Sequence, residues 1–181
     1  MEFSDVLRDV PLLARRMIEG QMLGQVYETT RAAEGREKAL ATVVRAVEAA
    51  ATEAGRAFAA VAPKGPCFEH FKTILALWKH GGALTIEHVH DTDSHLTFSV
   101  TRCLYVEAYR ALGIPAELVS ILSCARDAPF AAAYHPALEF DRPCTIGEGA
   151  EAENFFLTEQ QRVVRGGTWL YSEPTTSYRT T

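Results

Sequence analysis

The chain has 181 residues, 48% of them hydrophobic, and carries a net charge of −5 from 23 acidic and 18 basic side chains. That length and composition can bury a core without disulfides, so one domain is expected, and the acidic balance offers no basic stripe for broad nucleic-acid binding. No apolar run approaches a membrane span and the N-terminus lacks the pattern of a secretory signal, so a cytoplasmic protein with no membrane partner is expected.

The first third of the sequence reads as helical. Ser4-Asp5 can cap a helix carrying Val6, Leu7, Val10, Leu13, Met17 and Ile18, with Pro11 dividing it into an entry turn and a longer piece. The pair Arg15-Arg16 reads as a solvated face. A second helix is predicted from Arg36 to Val61, where Leu40, Val43, Val44, Val47 and Ala51 form a stripe of helical period and Gly55 marks a close approach or a weak point. Pro63, Gly65 and Pro66 end it. A third, Phe68 to Lys79, is stopped by Gly81-Gly82.

The period then changes to two. Ala83 to Val89 and His95 to Thr101 alternate about the turn residues Asp91 to Ser94, which predicts an antiparallel hairpin with Leu96, Phe98 and Val100 facing the core. Helices follow, one around Cys103 and one from Pro115 to Leu122, then short strands at Ala137 to Arg142 and Asn154 to Gln160 with a loop at Gly147 to Gly149 between them. The expected fold is α+β: N-terminal helices packed against a mainly antiparallel sheet in one domain over residues 1–165. From Gly166 the tail is polar apart from Trp169-Leu170-Tyr171; a loosely ordered end, an arm, a dimer contact and a lid all suit it.

The chemistry-bearing residues cluster in the second half. Thr101-Arg102-Cys103 lies where the alternation gives way to a helix, and a thiol in a first helical turn meets unpaired N–H groups that favour the thiolate. Glu107, four residues on, is placed on the same face to exchange a proton with it. Ser123-Cys124-Ala125-Arg126-Asp127 puts a second thiol beside an acid and a guanidinium, and two such pairs suggest one polar site. The alternative is that both cysteines are small buried hydrophobes. Cys67, Cys103, Cys124 and Cys144 lack CxxC spacing, which points to free thiols in a reducing compartment. His88, His90 and His95 could share a metal on a hairpin face or simply be solvated, and His70 could cap, pack or catalyse. His135, before Pro136, could carry a proton to a leaving nitrogen or be an ordinary loop histidine.

These pieces together, Leu96 to Gly113, Leu122 to Asp127 and Leu138 to Gly149, resemble the L-2-amino-thiazoline-4-carboxylic acid hydrolase family over roughly Arg15 to Phe155. The resemblance implies a soluble bacterial hydrolase that opens a small cyclic amidine at a C–N bond, converting the thiazoline to a carbamoyl-cysteine. One stretch departs from the family, which carries a glycine followed closely by Cys-Asp-Phe; here Glu153-Asn154-Phe155 follows Gly149, with Glu153 in the cysteine's place and Asn154 in the aspartate's. The expected function is a hydrolase of a small cyclic amidine or related nitrogen heterocycle; the alternatives are a non-catalytic small-molecule binding domain that keeps the pocket, and an isomerase or cyclase.

The expected catalytic set is Cys103, Glu107, Cys124, Asp127, Glu153 and His135, and the expected substrate-binding set is Arg102, Arg126, Arg142, Thr145, Glu148 and Asn154. Water must add to the amidine carbon, which needs an acid and a base, and a substrate carboxylate suits the paired N–H donors of arginine. Cys103 is either a nucleophile or a ligand of a divalent metal, zinc or manganese. A small heterocyclic molecule is the expected partner; a homo-oligomeric state is left open.

Overall fold

In the computed structural model, residues 10–159 are described in full, and the backbone alone is described at 164–165 and 168–169. Pro11, whose ring has no N–H to offer a helix, precedes α1 (Leu12–Glu34). The expected entry turn around Val6 and Leu7 and most of the polar tail lie outside the described residues. Gly35, at φ 90°, turns the chain directly into α2 (Arg36–Ala60). The α2 stripe is buried at Ala39, Val43, Val47, Ala51 and Gly55, one face of a 3.6-residue period.

Two short helices, α3 (Phe68–Lys72) and α4 (Ile74–Trp78), stand where the pattern predicted one. Thr73 breaks it, because its hydroxyl donates to the His70 carbonyl at 2.7 Å and holds the chain in a local turn. The hairpin follows as β1 (Leu84–Asp91) and β2 (His95–Cys103), closed by Thr92, whose N–H donates to the His95 carbonyl at 2.8 Å. Leu96, Phe98 and Val100 are buried as their alternation requires.

After β2 come α5 (Leu104–Ala111), α6 (Ala116–Ser123) and α7 (Asp127–Tyr134), then β3 (Leu138–Asp141) and β4 (Glu153–Glu159). Helix α7 has no counterpart in the sequence reading. Its Pro129 looks like a breaker, yet in the first turn of a helix a missing N–H costs little. The four strands form an antiparallel sheet in the order β1-β2-β4-β3, an α+β arrangement with the helices on one face. Phe98 and Phe155 lie opposite each other in the β2–β4 register and stack at 4.6 Å. Further on, the backbones of β5 (Val164–Arg165) and β6 (Thr168–Trp169) pair as a small antiparallel ladder. No helix among the described residues is long and apolar enough to cross a membrane.

Helix α2 packs most closely on α7 through Gly55. A Cβ there would lie 2.3 Å from the carbonyl oxygen of Phe130, a backbone atom that cannot rotate away. Gly55→Ala is therefore expected to lose about 1–3 kcal/mol through overpacking, despite alanine's better helix propensity. Urea denaturation would read this as a lower midpoint; an unchanged or higher one would mean the helices part without cost.

Candidate functional site

The helices and sheet enclose a cavity of about 310 Å³. Its apolar lining includes Phe58 of α2, Ile74, Leu77 and Trp78 of α4, and Phe130 of α7. Phe58 and Trp78 lie 5.8 and 6.1 Å from the Phe130 ring, so three aromatic side chains cluster there. Its polar lining gathers Cys103, Cys124, Arg126, Asp127, Arg142 and Glu153, half of the residues expected from the sequence.

Cys103 reaches the cavity by a bulge. In β2 the side chains of 96, 98 and 100 point inward, and strict alternation would turn residue 103 outward. The β1–β2 register slips, pairing Thr85 with Arg102 but Ile86 with Val100, and this extra residue re-aims Cys103 into the core. Cys103 is extended, at φ −128° and ψ 103°, rather than inside the first helical turn. The expected pairing with Glu107 fails for that reason. Glu107 instead lies outside the cavity, half exposed, in a two-pronged pair with Arg102 at 2.8 and 2.9 Å. That pair holds the Glu107 carboxyl below its ordinary range.

Arg142 organises the polar lining. Its Nη1 donates to Asp127 at 2.6 Å and to Glu153 at 3.2 Å, and its Nη2 donates to the Cys124 carbonyl at 2.6 Å. Glu153, at the start of β4, also accepts from the Ile146 backbone N–H at 3.1 Å. The loop carrying Ile146 comes this close because Gly147 has no side chain; a Cβ there would lie 2.9 Å from the Ser120 backbone and 3.0 Å from the Cys124 sulfur. Glu153 is thus a buried carboxylate matched by a guanidinium.

Burial dominates the protonation of this lining. It raises Cys103, outweighing the Val106 backbone N–H that favours thiolate, and it pushes Cys124 up to about 11. Both thiols are neutral at pH 7, whereas the sequence position favoured a thiolate. Burial also lifts Asp127 to about 6 against the downward pull of Arg142, and it raises Glu153. Among the described residues no group of three or more His, Cys, Asp or Glu side chains is arranged to hold a metal ion. Asp127 and Glu153 are both engaged by Arg142, so a zinc or manganese ion finds no ready donor set there.

The remaining expected residues serve the framework. His135 ends α7, its Nδ1 accepting from the Ala137 N–H at 3.3 Å. Thr145 caps the 3₁₀ turn Ile146–Glu148, accepting from the Glu148 N–H at 3.0 Å and donating to its carboxylate at 2.9 Å. Asn154 accepts from Ser99 at 2.7 Å on the exposed face of the sheet. His70 bonds Tyr134 at 2.9 Å, and that hydroxyl in turn donates to the Cys67 carbonyl at 3.0 Å.

Arg15 and Arg16, expected from the sequence on a solvated face, line the cavity. A signal for Arg16 was available. Gly20, Gly24 and Tyr27 form the buried stripe of α1, and Arg16 precedes them by one turn on the same face. The glycines let α1 approach α5, since a Cβ at Gly20 would lie 2.5 Å from the Tyr109 ring.

The sequence model of the family described as L-2-amino-thiazoline-4-carboxylic acid hydrolase matches residues 15–156. No curated protein matches the chain. Among solved structures, the phenol-responsive sensory domain of the transcription activator PoxR, determined with phenol, has a similar fold. Its TM-score is 0.50 at 14% identity, covering 80% of this chain and 74% of that one.

Proposed function

The chain belongs to the L-2-amino-thiazoline-4-carboxylic acid hydrolase family, and from that premise we propose that it binds a small cyclic organic molecule in the cavity between α1, α2, α7 and the sheet. The observation that carries this reading is the cavity itself: about 310 Å³, lined by both aromatic and charged side chains, the size and mixed lining of a small-molecule site. The PoxR domain is described as phenol-responsive, which supports a fold suited to ligands of this size. A reducing cytoplasm suits its free thiols.

Calorimetric titration with 2-amino-thiazoline-4-carboxylate and with phenol tests the proposal. At least one is expected to bind saturably, and Ala54→Phe, which fills the cavity from α2, is expected to abolish that binding in a protein that still melts cooperatively. Binding that survives Ala54→Phe, or no binding of either compound to the native chain, would sink it.

A second reading, hydrolytic opening of a cyclic amidine, is favoured by Asp127. A carboxyl group titrating near pH 6 beside the cavity can take a proton from water as the water oxygen bonds to the amidine carbon. It then returns that proton to the ring nitrogen as the C–N bond breaks, for a net gain of one water. Neutral thiols make Cys103 and Cys124 poor nucleophiles for the same step. Mass spectrometry should find the hydrated product with native protein and with Cys103→Ser, and none with Asp127→Asn. A product that vanishes with Cys103→Ser would instead return the mechanism to the thiol. Adding a chelator is expected to leave both binding and product unchanged.

A further inference from the structure

We propose that Arg16 and Arg126 form a carboxylate-binding wall of the cavity, and that Glu19 is an internal carboxylate which a bound ligand displaces. The proposal rests on the small-molecule reading above and names the chemical class of the ligand. Arg126 is nine-tenths buried at the start of α7. Its Nε donates to the Leu122 carbonyl at 2.9 Å and its Nη2 to Glu19 at 2.9 Å, while its Nη1 is buried with no hydrogen-bond partner among the described residues. A buried guanidinium N–H left unmatched is costly, and an oxyanion is the partner it suits. Arg15, on the same cavity lining, has a buried Nε in the same condition.

Among the described residues, the charges on this wall do not balance. Arg15, Arg16 and Arg126 line it, and the carboxylate bonded to two of them is Glu19, which takes Arg16 Nη1 at 2.5 Å and Arg126 Nη2 at 2.9 Å through one oxygen. Arg142 also has a buried Nε without a hydrogen-bond partner among the described residues, but two carboxylates, Asp127 and Glu153, already match its charge. An incoming anion is therefore directed to the less compensated Arg126.

Exposure separates the partners. The Glu19 side chain is 41% exposed and Arg126 10%, so the glutamate can swing into water while the guanidinium stays in place. Glu19 shows the geometry that a ligand carboxylate would adopt, and its departure frees a second donor beside Arg126 Nη1. The apolar body of such a ligand would then lie toward Phe58, Trp78 and Phe130. The class is a small planar carboxylate with an apolar or aromatic ring.

Benzoate and benzyl alcohol, alike in size and different in charge, are the probes, titrated calorimetrically into the full chain. Benzoate is expected to bind about tenfold more tightly. Glu19→Gln should tighten benzoate several-fold and leave benzyl alcohol unchanged, while Arg126→Gln should erase the preference. Arg16→Gln provides the same test on a more accessible side chain if the Arg126 variant does not fold. Equal binding of the two probes, or a Glu19→Gln variant with native benzoate affinity, overturns the carboxylate site and leaves the cavity reading standing. Failure of both probes to bind overturns the two together.

Discussion

Replacing Arg142 by methionine is expected to cost about 3–5 kcal/mol at pH 7, the loss typical of removing one partner from a buried ion pair. The Arg142 and Glu153 side chains are 8% and 4% exposed, and Asp127 is 18% exposed. Methionine keeps much of the aliphatic stem but removes the guanidinium, whose carbon lies 5.0 Å from the Phe155 ring centre and 5.5 Å from that of Phe140, so cation–π contacts are lost along with the ion pairs. Two carboxyl groups already raised by burial would lose the guanidinium that both share. The Cys124 carbonyl would also lose its 2.6 Å donor, loosening the loop after β3 from the end of α6. Urea denaturation at pH 7 and pH 5 measures the effect. The deficit should shrink at pH 5, where protonation removes part of the stranded charge. Adding Asp127→Asn and Glu153→Gln should recover much of it, as neutral replacements of buried charge often do. An Arg142→Met protein within about 1 kcal/mol of native at pH 7 would show that water, not Arg142, solvates these acids.

Such a network could not be read from spacing. Asp127, Arg142 and Glu153 come from α7, the loop after β3 and β4, and only the tertiary fold brings them into contact. Local periodicity is a different matter. The hairpin was legible because Leu96, Phe98 and Val100 repeat every two residues, and α2 was legible because Val43, Val47 and Ala51 repeat every helical turn. Gly55 was legible as a close approach, though not its partner on α7. Helix α7 was not foreseen, since Pro129 resembles a stop signal unless its position in the first turn is known. The Cys103–Glu107 pairing failed at a single bulge. One residue of slippage reverses which side of a strand faces inward, and nothing in Thr101-Arg102 announces it. Arg15 and Arg16 failed for the opposite reason: charged residues on a helix are usually solvated, and the cavity that takes them in is built by distant elements.

The proton on Asp127 gives the last large effect, and its sign runs against the common behaviour of ion-paired acids. Burial raises this carboxyl from 3.8 to about 6 although Arg142 lies 2.6 Å away. Between about pH 4 and 6 the folded chain keeps a proton that the unfolded chain has released, so stability falls as pH rises. The loss is complete above about pH 6 and amounts to about 2–3 kcal/mol at 1.36 kcal/mol per pH unit of displacement. Glu153 is also raised and adds the same sign. The exposed Glu107 and the partly buried Glu117 are lowered by hydrogen bonds to Arg102 and Tyr27 respectively and act in the opposite sense, but only below the ordinary carboxylate range near 4.5. Melting curves from pH 4.5 to 7.5 should therefore show native protein growing less stable toward neutrality. Asp127→Asn should flatten much of that slope and leave the remainder to Glu153. Parallel slopes for the two proteins would place the titrating group elsewhere. Under the hydrolytic reading the same proton controls turnover in the opposite direction. The carboxylate is the form that takes the proton from water, so rate should rise through about pH 6 while stability declines, and Asp127 would exchange fold stability for a base poised near neutral pH.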